Sequence, residues 1–166
     1  IGQHIHRHLR NLVGNTDPYR AAKKRFNALA LEMVPASKEA LAVSSDPLEM
    51  AIRLAIAGNV IDMGAKSNLG EAEVRRQLPM IIDQPLHGDV ERFRRALASA
   101  RSILYLTDNA GEIVFDRILI EQLGHEKVTV AVRGFPVIND ATLEDAQAAG
   151  LCDLVPVISN GSDAPG

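Results

Sequence analysis

The hydrophobic pattern changes period once along this chain, near residue 102. Before that point apolar side chains recur at helical spacing. Asp17-Pro18 reads as a helix start, a capping side chain followed by the residue that needs no amide partner at the first helical position. Phe26, Leu29, Ala30 and Met33 then fall on one face. Ser45-Asp46-Pro47 opens another helix, Glu49 resembles the far half of a capping box, and Met50, Leu54 and Ala57 extend a buried stripe up to Gly58. A third helix is expected from Asp89 to Ala98, with Val90, Phe93 and Leu97 inward and Arg92, Arg94, Arg95 and Arg101 on a solvated face.

After residue 102 short apolar runs alternate with amphipathic ones. Ile103 to Leu106, Val128 to Val132 and Leu154 to Ile158 read as strands, the last carrying Pro156, which suits an edge or an irregular ladder. Glu112 to Leu123, closed by Gly124, and Ala141 to Ala149, closed by Gly150, read as helices. Strand-helix-strand-helix-strand with short connections implies a parallel sheet. The expected fold is α/β: a helical subdomain over residues 1–100 and a Rossmann-like α/β domain over 101–166.

Composition narrows the function classes. The 166 residues are 46% hydrophobic and 23% charged, with a formal net charge of -3, so neither nucleic acid nor an anionic membrane is expected as the main partner. No apolar stretch approaches the roughly 20 residues that span a bilayer. Cys152 is the single cysteine, which excludes an internal disulfide and a cysteine-based zinc site, favours a reducing, cytoplasmic setting, and suits a small buried hydrophobe. His4 and His8 share a helical face without an acidic partner at useful spacing and read as surface residues. The chain starts at Ile1 and stops in the turn-like Ser162-Asp-Ala-Pro-Gly166, which reads as an internal fragment.

The chemistry sits where strands end. Asp108-Asn109 follows the first strand and Asn139-Asp140 follows the second. In a parallel sheet both pairs emerge at one edge, where open α/β folds bind ligands. Two carboxylates and two amides there form an oxygen-rich pocket suited to a hard divalent cation. The free amides of the helix starting at Gly111-Glu112 favour phosphate, and Gly111 lets backbone approach closely. Each pair can equally serve as a helix cap, as can Thr142; helix caps, however, need not converge, whereas ligands must. Arg133 ends its strand near the same edge, placed to balance phosphate charge or to snorkel. Ser159-Asn160-Gly161 offers further hydroxyl and amide contacts. Gly58-Asn59-Val-Ile-Asp62 closes the apolar helix with two polar residues, for which an αL glycine with nearby capping is a sufficient account.

Three stretches carry a resemblance: Gly58-Asn-Val-Ile-Asp62, Thr107-Asp-Asn-Ala-Gly-Glu112 and Arg133-Gly-Phe-Pro-Val-Ile-Asn-Asp-Ala-Thr142. In this order they resemble the family catalogued as domain of unknown function 89, described as metal-dependent damage-control phosphatases. The likeness runs through nearly the whole chain, to Pro156-Val-Ile-Ser159 and Gly161-Ser-Asp-Ala-Pro-Gly166. It implies a helical subdomain beside a three-layer α/β/α domain. It also implies Asp108, Asn109 and Asp140 as ligands of a divalent metal (Mn, Co, Ni or Mg), with Asn59, Asp62, Gly111, Glu112, Arg133 and Asn139 lining the pocket. Catalytic work falls to Asp108, Glu112 and Asp140. The family's downstream lysine-glycine-x-glycine-asparagine segment is not in this sequence.

The expected reaction is metal-assisted hydrolysis of a phosphomonoester, by water or by Asp108 as nucleophile. Small sugar phosphates or damaged phosphometabolites are the substrate class the resemblance implies, with homo-oligomers as a further expectation. Two rivals stay open: a methyltransferase using S-adenosylmethionine, although Asp108 to Glu112 holds one glycine rather than a glycine-rich loop, and a non-catalytic metal- or metabolite-binding module.

Overall fold

The computed structural model describes residues 2–14, 16–67 and 71–165, without the side chains at 60–67, 71, 74, 77, 78 and 81. Among the described residues five helices precede the first strand: α1 (Gly2–Val13), α2 (Arg20–Val43), α3 (Pro47–Ser67), α4 (Glu71–Ile82) and α5 (Val90–Ser99). There follow β1 (Ile103–Leu106), α6 (Glu112–Gln122), β2 (Val128–Val132), α7 (Leu143–Ala148) and β3 (Val157–Ser159). Helix α1 carries Ile5, Leu9 and Val13 at helical spacing, yet it buries no residue and stands outside the core.

Caps explain two of the expected helix starts. Asp46 accepts the Glu49 N–H at 3.0 Å, but the Glu49 carboxylate turns to Arg53 at 2.7 Å, so only half of a capping box forms. Asp89 accepts the Arg92 N–H at 2.8 Å. The start at Asp17-Pro18 is corrected: α2 begins at Arg20, and Asp17 instead accepts from the Tyr19 N–H at 3.2 Å and pairs with Lys23 at 3.4 Å.

Gly58 is a second correction. It lies inside α3 rather than ending it. A side chain there would meet Phe115 at 3.2 Å and the Glu112 backbone at 3.4 Å, so its role is to let α3 press against α6. Phe93, expected inward, is 38% exposed because α5 lies at the rim of the core.

The sheet has order β1-β2-β3 and is parallel throughout, with Tyr105 opposite Val130 and Val130 opposite Val157. The mixed α/β class is therefore as expected. The third strand begins later than its apolar run: Leu154 and Val155 are held in a turn by the Leu151 carbonyl, and Pro156 enters the ladder only as an acceptor, from Val130 at 2.9 Å. Tyr105 faces α6, whereas Leu104 and Leu106 on the opposite face are 60% and 71% exposed.

One hydrophobic cluster runs from Phe26, Leu29 and Leu54 through Phe115 and Ile118 to Val130 and Leu151. It crosses residue 100 without interruption. Helix α6 is buried almost all round, from Ile113 to Ile120 save half-exposed Arg117, because α2 and α3 cover the side turned away from the sheet. That burial fixes the start of α6, and with it the first loop.

Candidate functional site

The loops after β1 and β2 are bonded directly to each other. Asn109 and Asp140 form an antiparallel bridge, the Ala110 N–H donates to the Asn139 carbonyl at 2.9 Å, and the Ala141 N–H donates to the Asp108 carbonyl at 2.7 Å. Convergence of Asp108-Asn109 with Asn139-Asp140 is thus a property of the backbone. The second loop reaches this position through a turn in which Asp140 N–H returns to the Val137 carbonyl at 3.1 Å and Ile138 takes φ 45°. A β-branched residue pays strain in that region. Ile138 lines a cleft of about 220 Å³ beneath α1, with Leu9, Val13, Tyr19 and Pro136.

Each polar side chain has a definite posture. Asn109 is buried and donates Nδ2 to Glu112 Oε2 at 3.2 Å, which leaves its carbonyl oxygen as the group available for a cation. Glu112, also buried, accepts Asn59 Nδ2 on Oε1 at 2.8 Å. This contact exists because Gly58 lets α3 approach. Arg133 donates Nε to Asp140 Oδ2 at 2.7 Å, so it neither snorkels nor stands apart from the acid. Asp108 is exposed, and its carboxylate makes no hydrogen bond or ion pair with a described residue. Asn139 is buried at the junction. The side chain of Asp62 lies outside the described residues.

Electrostatics at the junction are strongly negative. Burial pushes the Asp140 carboxyl up, Arg133 pulls it back, and the nearby Asp108 charge adds to the rise. One turn along α6 from Glu112, buried Asp116 accepts the Tyr105 hydroxyl at 2.6 Å. Burial pushes its carboxyl up to about 8, with Glu112 and Asp108 adding repulsion against the hydrogen bond from Tyr105. Burial and the Asp116 charge also raise the Tyr105 phenol. Among the described residues the carboxylates of Asp108, Glu112 and Asp140 and the raised acid Asp116 therefore outnumber the cations that act on the junction, Arg133 and the more distant Lys23. A phosphate would be repelled unless a cation stood between.

The donor set fits such a cation in chemistry: two carboxylates and one amide carbonyl are hard oxygen donors. Among the described residues no three His, Cys, Asp or Glu side chains gather as a metal cluster, so a cation here would need the amide carbonyl as its third donor.

Several expectations change. The amides at the start of α6 are used within the fold: Gly111 N–H donates to Asn27 Oδ1 at 2.7 Å, Ala110 N–H to Asn139, and Ile113 N–H to the Asn109 carbonyl at 3.1 Å. They are not a ready phosphate cradle. Neither loop pair is the side-chain cap of its helix, since Gly111 stands at the cap of α6 and Thr142 with Asp145 forms a capping box for α7. Asn160 spends its carbonyl on the Gly134 and Ser162 N–H groups, both at 2.9 Å, bracing the second loop, and it lines a cleft with Arg7, Arg10, Phe135 and Asp163. Cys152, expected buried, is exposed in the turn after α7. Sequence reading passed over Asp116, whose signal was its spacing of four from Glu112, and also Lys23 and Asn27, polar positions one helical turn apart beside an apolar stripe.

Comparison with known proteins gives the family. The model of the damage-control phosphatase ARMT1-like domain matches residues 1–166. A protein of Archaeoglobus fulgidus named damage-control phosphatase is 37% identical, over 100% of this chain and 59% of its own length. A damage-control phosphatase of Pyrococcus horikoshii is 37% identical, over 97% of this chain and 56% of its own. A crystal structure of a domain-of-unknown-function-89 protein from P. horikoshii superposes with a TM-score of 0.81 at 34% identity, covering 96% of this chain and 55% of that one. The chain thus spans little more than half the length of these relatives. With the family model matched from end to end and the fold shared, this chain belongs to the damage-control phosphatase ARMT1-like domain family.

Proposed function

We propose that this chain carries the metal-binding part of a hydrolase that cleaves small phosphomonoesters, sugar phosphates or damaged phosphometabolites. The observation that carries the reading is the bonded junction of the two loops. It leaves the Asp108 carboxylate without a hydrogen bond or ion pair among the described residues, beside a buried Asp140 and an oriented Asn109. The names of the relatives, damage-control phosphatases, support the same class.

Asp108, Asp140 and the Asn109 carbonyl would hold a divalent cation, for which Mn, Co, Ni and Mg are all suited. When bound, such an ion supplies Lewis acidity and more acidic water. Glu112 does its work through Asn109: by accepting Nδ2 it points the carbonyl outward, and Asn59 holds Glu112 in turn. Arg133 opposes the upward push of burial on the Asp140 carboxyl and brings positive charge beside the arriving phosphoryl group. Asp108 either serves only as a ligand or attacks phosphorus itself, displacing the alcohol and forming an aspartyl phosphate that water then cleaves to phosphate and free Asp108. Trapping an aspartyl phosphate on Asp108 by acid quench marks the covalent route, and inversion rather than retention of configuration at phosphorus marks direct attack by water. A cytoplasmic setting belongs to the same proposal; among the described residues no helix is long and apolar enough to cross a membrane.

The test is calorimetric titration of manganese into the metal-free protein and its Asp108→Ala variant. Saturable binding, lost in the variant, is expected, followed by manganese-dependent phosphate release from sugar phosphates. Absence of binding by the folded wild type would overturn the metal reading.

A further inference from the structure

Helix α2 turns Phe26, Leu29 and Ala30 to the core, yet it also buries Lys23 and Asn27, each 3% exposed. The two lie one turn apart on the same face. Asn27 Oδ1 accepts the Gly111 N–H at 2.7 Å, and its Nδ2 donates to Asp145 Oδ1 at 2.9 Å. The other oxygen of Asp145 accepts Lys23 Nζ at 2.9 Å and the Thr142 N–H and hydroxyl, each at 2.8 Å. Lys23 is shared with Asp17 at 3.4 Å. One amide thus ties the residue just after the first loop to the first turn of the helix just after the second.

We infer that Asn27, backed by the Lys23–Asp145 ion pair, is a positioning residue that sets the relation of Asp108-Asn109 to Asn139-Asp140. The inference rests on the metal reading of that junction. Three features support it. The Asn27 amide satisfies both contacts at once, because Gly111 requires an acceptor and Asp145 a donor, whereas an aliphatic side chain satisfies neither. A buried ion pair seldom adds net stability over apolar side chains of similar volume, so packing alone does not account for Lys23 and Asp145 on this face. Residues that orient metal ligands without touching the metal are a general need of such sites.

The experiment compares wild type, Asn27→Leu and the exchange variant Asn27→Asp/Asp145→Asn. In the exchange variant an acid at 27 still accepts from Gly111, and an amide at 145 donates back to it. Manganese affinity is measured by calorimetry, amide exchange at Gly111 by NMR, and folding by thermal unfolding. The leucine variant, at a temperature where it is folded, is expected to lose about tenfold or more in manganese affinity, with faster exchange at Gly111; the exchange variant recovers to within about threefold. Wild-type affinity and wild-type Gly111 protection in folded Asn27→Leu would overturn the inference, leaving a structural contact only. Should the leucine variant not fold, the exchange variant carries the test: recovered affinity supports the inference, and weak binding by a folded protein overturns it. Should the wild type bind no manganese, the functional reading fails, and Gly111 protection alone decides whether the clamp exists.

Discussion

Replacing Asp116 by asparagine should flatten the pH dependence of stability. The carboxyl is fully enclosed beneath the site, accepts the Tyr105 hydroxyl at 2.6 Å, and titrates near 8 in the folded chain. In the unfolded chain it titrates near the ordinary aspartate value of about 3.9. A native pKa raised above the unfolded one gives stability that is fully present below about pH 4 and is lost as pH rises toward about 8, since the native state holds a proton that the unfolded state has released. The slope is at most about 1.4 kcal/mol per pH unit, or ~2.7 kcal/mol between about pH 5 and pH 7. Water entry and relaxation reduce this, so a measured difference of roughly 1–2 kcal/mol over that interval is expected. Asparagine keeps an oxygen for Tyr105 and removes the titration. The assay is urea unfolding of both proteins in metal-free buffer from about pH 5 to pH 9, read as the difference between the two curves. Wild type should lose ground to the variant as pH rises. Parallel curves, or a wild type that gains on the variant, would refute the assignment of Asp116 as a buried neutral acid.

Other perturbations test separate links. Gly58→Val should destabilise by about 1–3 kcal/mol in chemical unfolding, because its side chain meets Phe115 and the Glu112 backbone; a neutral result would deny the close approach of α3 to α6. Phe115→Ala, at a fully buried position, should cost roughly 3–5 kcal/mol. Arg133→Ala should raise the Asp140 carboxyl further, since its partner opposes the effect of burial, and a carboxyl NMR titration showing no rise would refute the pairing. Asp163 is held well below the ordinary carboxylate range by Arg7, Gln3 and Arg10, so its contribution is present above about pH 4 and lost as pH falls further. Asp163→Asn should loosen α1 at neutral pH, seen as faster amide exchange in residues 2–13; unchanged exchange would mean α1 is held by other contacts.

Much of this protein is written in local pattern. Short apolar runs separated by amphipathic helical ones specify β1, α6, β2 and α7 in order, because run length and helical periodicity need no distant partner to be read. The same locality places Asp108-Asn109 and Asn139-Asp140 at strand ends, and parallel order brings both to one sheet edge. The rest depends on contacts between residues far apart in the chain. Gly58 reads as a helix end until α6 is seen pressed against it. The bond of Arg133 to Asp140 and the contacts of Glu112 with the Asn109 and Asn59 amides likewise join residues whose meeting no local pattern announces. Nothing local marks Lys23 and Asn27 as buried, because burial is set by what packs above a residue and not by its neighbours in sequence. The succession of strands and helices, and the acidic residues at the strand ends, were therefore determined by sequence alone. Which of those polar groups stay open to a ligand, and which are consumed in holding the others, was decided only when α2 and α3 closed over α6.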